Sequence, residues 1–87
     1  MALRRAPGVV YDEVGGRAVL IDADGHEMIT LNPTGTLVWH ALDGTRDVDA
    51  IAAQVHAEVD GEVSRERIEQ DVRSFLDELA GEGLVVS

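Results

Sequence analysis

The sequence predicts an α+β fold in which a three-stranded antiparallel sheet is followed by three helices. Up to Leu31, short apolar segments alternate in the manner of strands and are separated by turn signals. From Pro33 onward, apolar residues recur at steps of three and four, which is the period of a helix. A run of strands followed by a run of helices is typical of the α+β class, and a chain of 87 residues is expected to form one domain over 1–87.

Three segments predict the sheet. Gly8 to Val14 is the first predicted strand, and Gly15-Gly16, which tolerates positive φ, predicts a hairpin connection to Arg17 to Asp22. Ala23-Asp24-Gly25 supplies the next turn, and His26 to Leu31 is the third predicted strand. Because the third strand comes last in a meander, we expect it at an edge of the sheet, with unpaired backbone groups.

The first helix is predicted from its cap. Asn32 is a favoured N-cap residue, and Pro33 follows it at the first helical position, where proline is tolerated. The helix is expected to run to about Leu42. Asp43-Gly44 is interpreted as its C-terminal stop, because glycine adopts the left-handed conformation that often ends a helix.

Two further helices and a short apolar tail complete the predicted fold. Asp47 to Val59 carries apolar residues at helical spacing, and Asp60-Gly61 closes it. Ser64 caps the last and longest helix, which is predicted to end near Ala80. The tail, Leu84-Val85-Val86, either returns as a strand or covers the core. This order of elements indicates a winged-helix-like architecture.

The charge of the chain limits its partners. The chain has seventeen acidic residues and seven arginines, and its net charge is -10. Since nucleic-acid affinity depends on cationic groups that displace condensed counterions, we expect no nucleic-acid partner. A winged-helix nucleic-acid-binding protein therefore remains an alternative that the fold permits and the charge opposes. No apolar run is long enough to span a membrane or to serve as a signal sequence, which predicts no membrane partner and a cytoplasmic location.

No arrangement of side chains predicts catalysis, a metal site or a cofactor. The chain has no cysteine, and its histidines lie on separate predicted elements without the spacing that places two ligands on one helical face. Ser64 is explained as a cap, and Ser74 lacks the turn that exposes a nucleophilic serine. Acyl carrier proteins are also small and acidic, but the serine that carries their cofactor opens a helix after an aspartate, and this chain lacks that arrangement.

One segment resembles the signature of a known family. Leu31 to Gly44, LNPTGTLVWHALDG, is similar to the PqqD-like pattern L-N-x-T-G-x-x-[IVL]-W-x-x-L-D-G. Asp71 to Val85 resembles the family's pattern for the last helix, D-V-x-x-F-L-x-x-L-x-x-x-G-L-[VL]. The resemblance implies a peptide-binding domain, a RiPP recognition element, whose third strand and last helix form a groove. In that groove the leader of a ribosomally synthesised precursor peptide adds a strand.

The resemblance also indicates which residues bind the leader. Backbone pairing gives affinity that is indifferent to sequence, so specificity must come from side chains between the strand and the helix. The candidate peptide-binding residues are Glu27, Met28, Ile29 and Thr30 on the third strand, and Arg67, Asp71, Ser74, Phe75 and Glu78 on one stripe of the last helix. The acidic members are expected to accept hydrogen bonds from the leader or to pair with its basic residues.

The implied function is a non-enzymatic peptide chaperone. A discrete acidic module of this size is similar to those of lasso-peptide biosynthesis, where it serves a separate leader protease and a cyclase. The alternative is a PqqD-type chaperone that presents a precursor peptide to a radical SAM enzyme. The sequence alone leaves both open.

Overall fold

Six strands and three helices make up the part of the chain that the computed structural model describes, residues 2–22, 24–59 and 63–87. The strands are β1 Leu3–Arg5, β2 Val10–Val14, β3 Arg17–Ile21, β4 Met28–Thr30, β5 Asp43–Arg46 and β6 Val85–Val86. The helices are α1 Pro33–Ala41, α2 Val48–Glu58 and α3 Arg65–Gly81. The predicted α+β class, the three-stranded sheet and the three helices are confirmed.

The predicted sheet is an antiparallel meander in the order β2-β3-β4. Gly15 and Gly16, with φ of 61° and 81°, form the hairpin between β2 and β3. The prediction that the third strand begins at His26 is wrong, because β4 begins at Met28. The Asp22 side chain accepts a hydrogen bond of 2.8 Å from the His26 N–H, which holds His26 in the turn. Ala23, the first residue of the predicted turn, lies outside the described residues.

A second sheet, in the order β5-β1-β6, was not predicted. Asp43-Gly44 was interpreted as a helix stop, but both residues belong to β5 and α1 ends before them, at Ala41. The short central strand β1 pairs with β5 on one side and with β6 on the other. The apolar tail therefore returns as a strand. A three-residue segment with two arginines has no strand pattern of its own, so tertiary pairing alone defines β1.

The caps predicted at Asn32 and Ser64 are present, and Asp47 caps the second helix in the same way. Asn32 Oδ1 accepts from Gly35 N at 2.7 Å, Asp47 Oδ1 from Ala50 N at 2.9 Å, and Ser64 Oγ from Arg67 N at 3.2 Å. Each of these bonds satisfies a backbone N–H that has no partner within the helix. The predicted end of the second helix at Asp60-Gly61 lies outside the described residues.

The β2-β3-β4 sheet packs one face on the helices. Ala18 and Leu20 of β3 are fully buried in the same core as Trp39 of α1. Thr36 joins the two elements, because its hydroxyl accepts from Ala18 N at 2.9 Å and donates to Asn32 O at 3.0 Å. The first turn of α1 is therefore fixed against the sheet, directly beyond the end of β4.

Candidate functional site

The strand β4 lies at an open edge of its sheet. It pairs with β3 through Val19↔Thr30, Leu20↔Ile29 and Ile21↔Met28, and it is the last strand in the order β2-β3-β4. The predicted edge position is thus confirmed. The backbone groups on the other side of β4 face no strand among the described residues, so an extended peptide has a template to pair with.

The side chains of β4 divide between the two faces of the sheet. Ile29 is half-buried and packs against the core, whereas Met28 is 72% exposed. Residues paired directly across strands share a face, so Met28 lies in one row with Ile21 and Val10, which are also exposed. Met28 therefore lies on the outer face, opposite the helices, with Thr30 two residues further along.

A cleft opens where β4 leads into α1. It has a volume of about 190 Å³ and lies between the start of α1 and the middle of α3. Its lining residues are Asn32, Thr34, Gly35, Val38, Asp71, Val72 and Phe75. Asn32 follows the last residue of β4, Thr30, by two positions, so the cleft begins close to the end of this strand. The β4 edge and this cleft together are called the edge groove below.

The structure brings only part of the predicted helix stripe to the edge groove. Asp71 and Phe75 line the cleft, and Phe75 is half-buried against the core. Arg67 lies one turn earlier and its Nε is 3.5 Å from Asp71 Oδ2, a solvent-exposed ion pair of the kind that contributes little to stability. Ser74 and Glu78 are exposed on α3 and do not line the cleft.

Sequence reasoning missed the part of the lining that α1 provides. Asn32 was interpreted only as a helix cap, and Gly35 and Val38 were not among the candidate site residues, yet all three line the cleft. The sequence signal for this part of the lining is the Thr34-Gly35 pair in the first turn of a helix, because glycine makes a helix less stable than alanine does. A buried glycine at such a place indicates close approach of another group.

Negative charge surrounds the edge groove. Glu27 is exposed directly before β4, and Asp71 and Glu78 lie on α3. Among the predicted site residues Arg67 is the one cation, and Asp71 accompanies it. The electrostatics of the groove therefore favour a cationic peptide over a polyanion.

A second, larger cleft of about 550 Å³ lies at the other sheet. It is lined by Leu3, Val48, Arg73, Leu76, Asp77, Ala80, Val85, Val86 and Ser87. The adjoining edge strand β6 has two residues and so offers less backbone than β4, and none of the predicted site residues lines this cleft. Volume alone therefore does not identify the site. Within residues 2–22, 24–59 and 63–87, no group of three or more His, Cys, Asp or Glu side chains is arranged to hold a metal ion.

Two solved structures share this fold. "TbiB1 in Complex with the TbiA(beta) Leader Peptide" is 26% identical, with a TM-score of 0.81 over 94% of this chain and 93% of that chain. "Lasso peptide synthetase B1 complexed with the leader peptide" is 23% identical, with a TM-score of 0.82 over the full length of both chains. No helix in the described ranges has the length and apolar character needed to span a membrane.

No curated protein matches this sequence. The family model described as coenzyme PQQ synthesis protein D (PqqD) matches residues 17–85, which include β3, the edge groove and all three helices. The chain belongs to the PqqD family.

Proposed function

We propose that this protein binds the leader segment of a ribosomally synthesised precursor peptide by strand addition to β4. The observation that carries the proposal is the open β4 edge beside an apolar and acidic cleft. The similarity to two structures that contain leader peptides supports it. The protein then presents the attached core peptide to a separate leader protease and cyclase of lasso-peptide biosynthesis, in the cytoplasm.

The leader contacts both elements of the edge groove. An added strand takes backbone hydrogen bonds from β4, and its alternate side chains point to opposite faces. Those on the inner face meet Ile29, Phe75 and Asp71, and those on the outer face lie beside Met28 and Thr30. Glu27, Arg67, Ser74 and Glu78 form the polar rim of the groove and contact leader residues that extend beyond the cleft.

The role is binding without catalysis. The bond-making and bond-breaking steps belong to the enzymes that receive the leader complex. One histidine illustrates the point, because His40 Nε2 lies 2.8 Å from Glu13 Oε1 on the surface and joins α1 to the β2-β3 hairpin. This contact connects two structural elements and lines neither cleft described above.

A second pathway is favoured by one observation. The matching family model carries the description of coenzyme PQQ synthesis protein D. Under this alternative, the same groove presents a precursor to a radical SAM enzyme. The two alternatives differ in the leader that is bound, so titration with leaders from both kinds of pathway distinguishes them.

The experiment is a fluorescence anisotropy titration of a labelled synthetic leader from the lasso precursor encoded beside this protein. We expect saturable binding at micromolar or lower concentration. Phe75→Ala should weaken it by about tenfold, because a partly buried aromatic anchor is lost from the groove. Met28→Lys should weaken it by only about threefold, because this side chain lies on the outer face.

Leu37→Ala is the matched control. Leu37 is also half-buried against the core, but it lies on the other side of α1, beside His40 and Ala41. It should lower stability and leave affinity unchanged. Absence of binding by the wild-type protein, or equal loss of affinity in the Phe75 and Leu37 variants, would contradict the proposed groove.

A further inference from the structure

Gly35 is a helical glycine that the backbone does not require. It is the third residue of α1, it is buried, and its φ is not positive, unlike that of the turn glycines. Glycine destabilises a helix relative to alanine. Its N–H donates to Asn32 Oδ1 at 2.7 Å, a bond that any residue except proline can make. The reason for glycine here must lie in what approaches its Cα.

The group that approaches is the ring of Phe75. A Cβ built on Gly35 would lie 3.0 Å from Phe75 Cζ and 3.1 Å from Asn32 Oδ1. Carbon atoms in good contact are about 3.5–4.0 Å apart, so any side chain at Gly35 must displace the ring. Gly35 and Phe75 both line the 190 Å³ cleft, and the ring rests directly on the helix where the side chain is missing.

The Phe75 ring borders the filled core and the open cleft. Val38 of α1 and Val72 of α3 line the cleft and are each only 1% exposed, so the core side is filled. Phe75 itself is half-buried and borders the open space of the cleft. Because packed interiors do not yield readily, a ring displaced by a new side chain moves into the cleft.

We infer that Gly35 is a specificity-determining residue of the edge groove. Its missing side chain lets the Phe75 ring lie against α1, which keeps the cleft open for an apolar side chain of the leader. A side chain at this position narrows the cleft through Phe75 without touching the leader. This inference rests on the proposed leader-binding function and names the residue that sets the capacity of that site.

The test compares two helical glycines in the anisotropy titration. Gly35→Ala should weaken leader binding by about tenfold, and Gly35→Val should weaken it further, because the displacement grows with the side chain. Gly81 is the matched control, since it is also helical, its φ is not positive, and a Cβ there meets nothing within 4 Å. Gly81→Ala and Gly81→Val should bind the leader as the wild-type protein does.

A second substitution distinguishes two explanations for a loss of affinity, a cleft narrowed by the Phe75 ring and a disrupted Asn32 cap. Phe75→Leu removes Cζ, the atom nearest the new Cβ, and keeps an apolar side chain. Gly35→Ala should therefore lower the affinity for the leader by about tenfold in the wild-type background and by less than about threefold in the Phe75→Leu background. If instead the substitution disrupts the Asn32 cap, the loss is the same in both backgrounds and the inference is wrong.

The outcomes also distinguish this inference from the proposed function. A wild-type protein that does not bind the leader overturns the function. A wild-type protein that binds, with unchanged affinity in a folded Gly35→Val variant, overturns the role of Gly35 alone. Circular dichroism and thermal unfolding establish that each variant is folded before affinities are compared.

Discussion

The guanidinium of Arg5 donates two hydrogen bonds to the carbonyl oxygen of Trp39, from Nε at 3.2 Å and from Nη2 at 2.9 Å. Its Nη1 donates to the Tyr11 hydroxyl at 3.2 Å, and the guanidinium carbon lies 4.8 Å from the centroid of the Tyr11 ring. One side chain thus joins the central strand of the second sheet to β2 of the first sheet and to the end of α1.

We expect Arg5→Ala to lower the free energy of unfolding by about 2 kcal/mol, because charge-assisted hydrogen bonds and a cation–π contact are lost together. Arg5→Lys should recover little of this stability, because an ammonium group cannot reproduce the planar arrangement of guanidinium donors. Urea unfolding measures both variants. Arg4→Ala, at the exposed neighbouring position on β1, is the control and should change stability by less than about 0.5 kcal/mol.

Asp43 makes the stability of the protein depend on pH in the acid range. The Thr45 hydroxyl, 2.6 Å from Asp43 Oδ1, lowers the pKa of this carboxyl below 3.8, and the Thr45 N–H at 2.9 Å adds to the effect. A carboxyl whose pKa is lower in the folded state stabilises the fold above its unfolded pKa. That contribution is lost as the pH falls through the folded pKa.

Asp43→Asn should therefore lower the melting temperature at about pH 7, and the difference from the wild-type protein should shrink as the pH falls below about 4. Thermal unfolding across this range measures it. Thr45→Val, which removes the hydroxyl donor, should raise the pKa of Asp43 as followed by NMR. A difference in melting temperature that stays constant with pH would mean that the effect of the substitution does not come from the charge of Asp43, and it would contradict the prediction.

The sequence predicted the elements whose signals are local. Asn32 and Ser64 identified the starts of α1 and α3 because capping depends on the residue and its next three neighbours. The strand β1 and the role of Asp43-Gly44 in β5 escaped prediction because they depend on pairing with segments distant in the chain. A short segment carries no pattern that reveals such pairing.

Only part of the candidate site could be predicted from the sequence. The edge position of β4 follows from the order of a meander, and Asp71 and Phe75 follow from the stripe on the last helix. The wall formed by Gly35 and Val38 depends on how α1 meets α3, a tertiary contact. The face occupied by Met28 was set by its register with Ile21, which a sequence alone does not specify.

Strand addition predicts a period of two in the leader. In an antiparallel pair, alternate residues of the added strand direct their N–H groups toward β4, and the residues between them direct theirs away. N-methylation of single leader amides should therefore weaken binding by about tenfold at every second position and by less than about threefold between them. Anisotropy with a set of singly methylated leaders measures the pattern. A loss with a period of three or four would indicate a helical leader and contradict strand addition.

The acidic rim predicts how binding responds to salt. Glu27 lies directly before β4 and Glu78 lies on α3, and the chain carries a net charge of -10. A leader that contains lysine or arginine should bind more weakly as the salt concentration rises from about 0.05 M to about 0.5 M, because ions screen exposed charges. Glu27→Gln with Glu78→Gln should weaken binding at low salt by about threefold to tenfold and reduce the dependence on salt.

The control for the rim changes the net charge equally at positions away from the groove. Asp49 and Glu58 are exposed on α2, which contributes no residue to the edge groove. Glu58→Gln with Asp49→Asn should alter affinity by less than about twofold, because ions screen charges that lie further from the leader than the screening length, about 8 Å at physiological salt. If both double variants lose the same affinity, the leader responds to the overall charge of the protein, and the specific role of Glu27 and Glu78 is wrong.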